Sequence, residues 1–168
     1  RQVYPYESNR IIADLFRQAG GEVLDEMYVP LRVADIDMPK VIRRIEAAQP
    51  DVVYSTVVGD GIARFYEAYS EAGFDQQTHP IASQSTQEAE IAQMSARAAA
   101  GSITAAPYFS TLQTPANLRF VAAWRKRFGT GLPITACAES AYFQVMLYAQ
   151  TLERAGSDRL EAMLPHLH

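Results

Sequence analysis

One segment limits the fold of this chain more than any other: Asp51-Val52-Val53-Tyr54-Ser55-Thr56-Val57-Val58, nearly unbroken in β-forming residues and stopped by Gly59. An apolar strand without polar alternation is covered on both faces, as strands inside parallel sheets are. Parallel neighbours require crossover connections, and the flanking stretches supply helices to make them. Ile11, Ile12, Leu15, Phe16 and Ala19 fall on one helical face, which Gly20-Gly21 terminates. Asp35 or Asp37 is placed to cap a second helix, with Pro39 in its first turn and Met38, Val41, Ile42 and Ile45 at helical spacing. A third helix carries Ile62, Phe65, Tyr66 and Tyr69 on one face and ends before Gly73.

Strand signals lie between these helices. Glu22 to Val29, with Val23, Leu24, Met27, Tyr28 and Val29 ahead of Pro30, reads as a strand. Pro80-Ile81-Ala82-Ser83 and Ser102 to Ala106 read as two shorter ones, and Ser85-Thr86-Gln87-Glu88 matches a capping box that opens a helix. Thr114-Pro115 starts a helix with Leu118, Val121, Trp124 and Phe128 inward, and a long helix covers roughly Ala136 to Arg154. Alternating strands and helices with short connections specify an α/β fold: a doubly wound, mainly parallel sheet with helices on both faces. Such a lobe begins with a strand, yet Tyr4 has only three residues before it. The chain is therefore expected to be a piece of a larger protein lacking that first strand, and Leu164-Pro165-His166-Leu167-His168 stops as abruptly.

Composition narrows the function classes. The 168 residues fit one ordinary domain, and 15 basic and 19 acidic residues are interspersed, for a net charge of −4. No basic run exceeds Arg125-Lys126-Arg127, which argues against direct nucleic-acid contact. A single cysteine excludes an internal disulfide, and charges interrupt every apolar stretch before it reaches membrane-spanning length. The opening Arg1-Gln2-Val3-Tyr4-Pro5 lacks the pattern of a secretion signal; either the protein has none or its true start lies upstream.

In an open parallel sheet, ligands bind outside the carboxyl ends of the strands. That rule selects the loop at Tyr4, the segment Ser55 to Gly59, Gln84-Ser85, and Tyr108-Phe109. Hydroxyls, an amide and aromatic rings with almost no charge suit a small, neutral, polar ligand. Each position also has a structural reading. Ser85 is placed to cap its helix, Val57 and Val58 to enter the core, Tyr4 and Tyr6 to staple the first helix, and Tyr108 and Phe109 to plug a loop. Catalytic patterns are thin. Val58-Gly59-Asp60-Gly61 lacks the third glycine of a dinucleotide fingerprint and the Lys-Ser/Thr of a phosphate loop. Cys137 has no neighbouring histidine and reads as a buried thiol, while His79, His166 and His168 do not group. Glu88 and Glu90 suit a helix start, and Asp35 and Asp37 a capping turn. An enzyme, a cofactor and a metal are not expected.

Several motifs in order, Tyr4-Pro5-Tyr6-Glu7-Ser8-Asn9, Ser55-Thr56-Val57-Val58-Gly59, Pro80-Ile81-Ala82-Ser83, Ala106-Pro107-Tyr108-Phe109-Ser110 and Ala136-Cys137-Ala138-Glu139-Ser140-Ala141-Tyr142, resemble the amide- and urea-binding proteins of the type I periplasmic-binding-protein fold. Among these the chain most resembles amide sensors that regulate aliphatic amidase operons. The resemblance implies two α/β lobes closing on a small ligand, with residues 1–134 as the second lobe and 135–168 as a crossover helix toward a missing first lobe. It places Tyr4, Thr56, Val57, Val58, Gly59, Ser85, Tyr108 and Phe109 at the ligand. Arg1-Gln2 departs from the Asp-Tyr pair usual just ahead of Tyr4. The implied function is binding of a small neutral amide or urea-like solute as a ligand sensor. Its partner would be an antitermination regulator, in the cytoplasm. The alternative is a periplasmic receptor of an ABC transporter for urea, short amides or branched-chain amino acids, docking onto a membrane permease. An unpartnered apolar face on the last helix, with Tyr142, Phe143, Met146 and Leu147, would favour a homodimer.

Overall fold

The computed structural model describes residues 3–167, and the Arg1-Gln2 departure lies outside them. The chain forms two compact units, Arg1–Ala106 and Pro107–His168. The first holds helices α1 (Tyr4–Gln18) and α2 (Met38–Ala48), strand β1 (Val53–Ser55), helix α3 (Gly61–Glu71), strand β2 (Ile81–Ser83), the single-turn helices α4 (Glu88–Ile91) and α5 (Ala96–Ala99), and strand β3 (Ile103–Thr104). The strands lie in the order β1-β2-β3, all parallel. This is the expected α/β architecture with helical crossovers. Val53 pairs with Ile81 and Ser55 with Ser83, while Ser83 also faces Thr104. One row of three hydroxyl side chains therefore crosses the carboxyl edge of the sheet.

The core of this unit gathers Ile36, Met38, Val41, Ile42, Ile45, Ile62, Phe65, Tyr66, Tyr69, Ile81 and Ala98. The helical spacing of Val41, Ile42 and Ile45 in α2, and of Ile62, Phe65, Tyr66 and Tyr69 in α3, explains why these faces turn inward. Asp37 rather than Asp35 caps α2, its carboxylate accepting from Lys40 N at 3.0 Å. Buried Gln76 braces the sheet: its amide nitrogen donates to Ala98 O and its carbonyl accepts from Ile81 N at 3.2 Å.

The strands depart from sequence expectation in length and number. Of 51–58 only Val53–Ser55 joins the ladder, because β2 starts after Pro80, which has no N–H, and ends before Gln84. Beyond Ser55 the chain turns, and Val57 N reaches back to Ser55 Oγ at 3.4 Å. Likewise only Ile103–Thr104 of 102–106 is strand. Glu22 to Val29 forms no strand at all. Met27 and Val29 pack on the core while Leu24 and Tyr28 are exposed, so the alternation of a strand is present. The segment pairs with no strand among the described residues, and Arg44 serves it instead, meeting Asp25 Oδ1 at 2.6 Å and Glu26 O at 3.3 Å.

The second unit pairs α6 (Pro115–Phe128) and α7 (Ala136–Ala155) with the short α8 (Leu160–Met163). Thr114 and Thr135 cap the two long helices, accepting from Asn117 N and Ala138 N, both at 3.2 Å. The core here is Tyr108, Phe120, Val121, Ile134 and Ala136. Leu118 and Phe128, expected inward, are exposed. The buried stripe is Asn117, Phe120 and Val121 with Trp124 beside it, so positions 118 and 128 fall off the stripe. Cys137 is exposed, not buried, because the helix turns the residue after buried Ala136 to solvent.

Gly101 sits at φ +92, and a Cβ there would lie 2.7 Å from the Gln76 carbonyl carbon. Gly101→Ala is expected to destabilise the chain by at least about 1–3 kcal/mol in urea unfolding. Burial pushes the Tyr69 phenol up to about 12, its hydroxyl donating to His79 O at 3.1 Å. A folded-state pKa above the unfolded one gives stability that is complete below the unfolded value and lost as pH rises toward 12. Wild type should therefore lose on the order of 2–3 kcal/mol more than Tyr69→Phe between pH 9.5 and 12, read from the urea midpoints.

Candidate functional site

The carboxyl ends of β1 and β2 are tied to the start of α1 by two long-range contacts. Thr56 Oγ1 donates to Asn9 Oδ1 at 3.1 Å, and Gln84 Nε2 donates to Ser8 Oγ. Asn9 in turn donates to Glu26 Oε1 at 3.4 Å, so α1, the 22–30 segment and the strand ends hold one another. Tyr6 stacks on Tyr28 with ring centroids 4.2 Å apart, the staple expected of the Tyr4-Tyr6 pair falling to Tyr6. Tyr4 is exposed on the first turn of the helix.

Behind these loops Ser55 and Ser83 of the hydroxyl row are buried and Thr104 is half-buried. Ser83 accepts from Ser85 N at 3.1 Å and from Thr86 Oγ1 at 3.2 Å, and Ser85 Oγ donates to Val57 O at 2.7 Å. Thr104 Oγ1 donates to Thr86 O at 2.7 Å, linking the third strand. Ser85 is not the helix cap: α4 begins at Glu88 with Gln87 as its cap, and Gln87 N donates to Glu90 Oε2 at 2.9 Å. The capping pattern is displaced by two residues because Ser83 and Val57 already engage Ser85. Glu88 and Glu90 do open the helix as expected.

A cavity of about 560 Å³ runs alongside β1, lined by Pro5, Asn9 and Phe16 of α1, by residues 21–31, and by residues 50–58. No lining residue comes from β2, so the cavity lies along the other edge of β1. It is mainly apolar and reaches Ser55, Thr56, Val57 and Val58, whereas Tyr4, Gly59 and Ser85 stand outside it. Tyr28 also borders it, its hydroxyl donating to Glu26 Oε1; that carboxylate bond, more than burial, holds the phenol above its ordinary pKa.

Of the residues expected at a ligand, the first unit brings Thr56, Val57, Val58, Gly59 and Ser85 to adjoining strand ends. Val57 also packs against the core. Tyr108 and Phe109 belong to the second unit. Tyr108 is buried there, donating to Asn117 Oδ1 at 2.6 Å and packing edge-on against Phe120, while Phe109 is half-buried. Gln84 was selected with Ser85 by the strand-end rule, whereas Ser8 and Asn9 were legible only within a quoted motif; no period or spacing singled them out, because their role comes from contacts 76 and 47 positions away in sequence. Among the described residues no group of three His, Cys, Asp or Glu side chains is placed to hold a metal, and no helix is long and apolar enough to cross a membrane.

A parallel α/β unit with hydroxyl-bearing loops at the carboxyl ends of its strands has the form in which open sheets bind ligands. The chain belongs to the periplasmic binding protein domain family, whose model matches residues 1–168. Its fold is similar to an ABC-transporter solute-binding protein from Rhodopseudomonas palustris BisB5 in complex with 3,4-dihydroxybenzoic acid (TM-score 0.75, 23% identity, covering 94% of this chain and 43% of that one). It is also similar to an R. palustris solute-binding protein in complex with benzoate (TM-score 0.75, 22% identity, 92% and 41% coverage). A third is the leucine-, isoleucine-, valine-, threonine- and alanine-binding protein of Brucella ovis in its closed conformation (TM-score 0.71, 21% identity, 95% and 40% coverage). The chain thus spans less than half the length of each of these solved proteins.

Ser83 is 3% exposed and accepts hydrogen bonds from two neighbouring residues. Ser83→Ala leaves Ser85 N and Thr86 Oγ1 without this acceptor and is expected to cost about 1–3 kcal/mol in urea unfolding.

Proposed function

We propose that this chain is part of a solute-binding protein of the ABC-transport type that takes a small, neutral, polar solute at the carboxyl ends of its strands. The observation that carries the reading is the uncharged edge of the sheet, where Thr56, Val57, Gly59 and Ser85 adjoin within the first unit of a periplasmic binding protein domain. A carboxylate ligand needs a cation or free donors, and a charged ligand without a partner is costly to bury. An amide or urea carries both an acceptor and N–H donors without net charge, and so matches a lining of hydroxyls and backbone groups. In this reading the chain binds rather than transforms its ligand, in line with the solute-binding proteins whose fold it shares.

Transport is the preferred setting, because the solved proteins of like fold are described as solute-binding components of ABC transporters. The protein then works in the periplasm with a membrane permease, the first lobe closes over the ligand, and binding selects the closed state by its higher affinity. The order of the motifs from Tyr4 to Tyr142 favours a second reading, an amide sensor in the cytoplasm acting through an antitermination partner. In that setting too, nucleic acid is not contacted directly.

Calorimetry of the full-length protein against acetamide, butyramide, urea, leucine and benzoate tests the ligand class. Saturable binding of an amide or urea, with no measurable heat from benzoate, is expected. Binding of leucine or benzoate in preference to every amide, or of nothing in the series, would overturn the reading.

A further inference from the structure

We infer that a one-way chain of hydroxyls, from buried Tyr66, Thr86 and Ser83 to half-buried Ser85 and on to Val57 O, fixes Ser85 as a hydrogen-bond acceptor, so the ligand group placed there is an N–H donor. This deepens the proposed solute-binding reading and rests on it for the identity of the site.

The direction follows from counting protons. A hydroxyl has one O–H to give and two lone pairs to receive. Ser85 Oγ gives its proton to Val57 O at 2.7 Å, and Thr86 Oγ1 gives its own to Ser83 Oγ at 3.2 Å. The two remaining contacts then have only one direction. Between Ser83 Oγ and Ser85 Oγ, 3.1 Å apart, Ser83 donates; between Tyr66 OH and Thr86 Oγ1, also 3.1 Å apart, Tyr66 donates. Tyr66 starts the chain because it is 0% exposed and burial raises its phenol, which keeps the proton at neutral pH. Bonds in such a series polarise one another, and reversing the series would leave Val57 O without its donor. Ser85 is left with a single free lone pair and no proton to offer. Thr56 likewise has no proton to offer, since its O–H is engaged by Asn9 Oδ1 at 3.1 Å. Two adjoining hydroxyls that accept and do not donate favour an amide NH₂ over a carboxylate. Tyr66 and Thr86 touch no ligand in this arrangement and act as positioning residues.

Two measurements on the full-length protein test this. Calorimetry compares acetamide with acetate, which share size and differ in net charge and in the N–H, so the Thr86 variants isolate the N–H part. Wild type is expected to prefer acetamide by at least about tenfold, the worth of one hydrogen bond. Thr86→Val, which breaks the chain, should narrow that ratio, and Thr86→Ser should restore it; a merely structural role for Thr86 would lower both affinities and leave the ratio in place. Equal binding of acetate by wild type overturns the proposal. A double-mutant cycle of Tyr66→Phe with Ser85→Ala in urea unfolding needs no ligand. Non-additive losses between these two ends of the chain support it, and strictly additive losses overturn it. If neither compound binds, the small-amide reading fails and takes the ligand half of the proposal with it, while the cycle still decides the hydroxyl chain.

Discussion

Parallel strands are joined only by crossovers, so the β1–β2 ladder, with Val53 opposite Ile81 and Ser55 opposite Ser83, dictates much of the first unit. It requires α3 to span the two strands, and α3 must then bury Ile62, Phe65, Tyr66 and Tyr69 against them. The same register brings Ser55, Ser83 and Thr104 into one line at the carboxyl edge. Slipping a strand by one residue would turn its side chains to the opposite face and break the row. The hydroxyl row and the hydrophobic core are thus two consequences of one pairing.

Polar groups inside this unit are placed where the ladder stops short. Three-residue strands leave many backbone groups without sheet partners, and side chains take them up. Gln76 spans Ala98 and Ile81, Ser83 accepts from Ser85 N, and Ser85 donates to Val57 O. Hydroxyls used in this way are oriented before any ligand arrives, which lowers the ordering cost of binding. The second unit follows another plan, with two threonine-capped helices around Phe120, Val121 and Ile134. Its α7 exposes Tyr142, Phe143 and Met146 beside half-buried Leu147.

The helices were legible because their signals are local. The 3.6-residue spacing of Val41, Ile42 and Ile45, the caps Asp37 and Thr114, and the glycines at positions 20 and 73 all act within a few residues of the helix they define. Strands were less legible, since a strand exists only with its neighbour. Glu22 to Val29 has strand composition and strand alternation, yet with no partner among the described residues its backbone turns to Arg44. The same limit applies to Leu118 and Phe128, where composition marks an apolar residue but packing chooses which stripe of α6 is covered.

The amino-acid sequence by itself determined the α/β class, the parallel sense of the sheet and the strand ends as the candidate site, because periodicity and turn chemistry are properties of neighbouring residues. Only the tertiary structure decided what each hydroxyl at that site does. Ser85 reads from sequence as a helix cap or a ligand contact, and it proves to be bound to Val57 O, 28 positions earlier. A hydroxyl can donate once, and which acceptor takes that proton is settled by the strand that folding brings beside it.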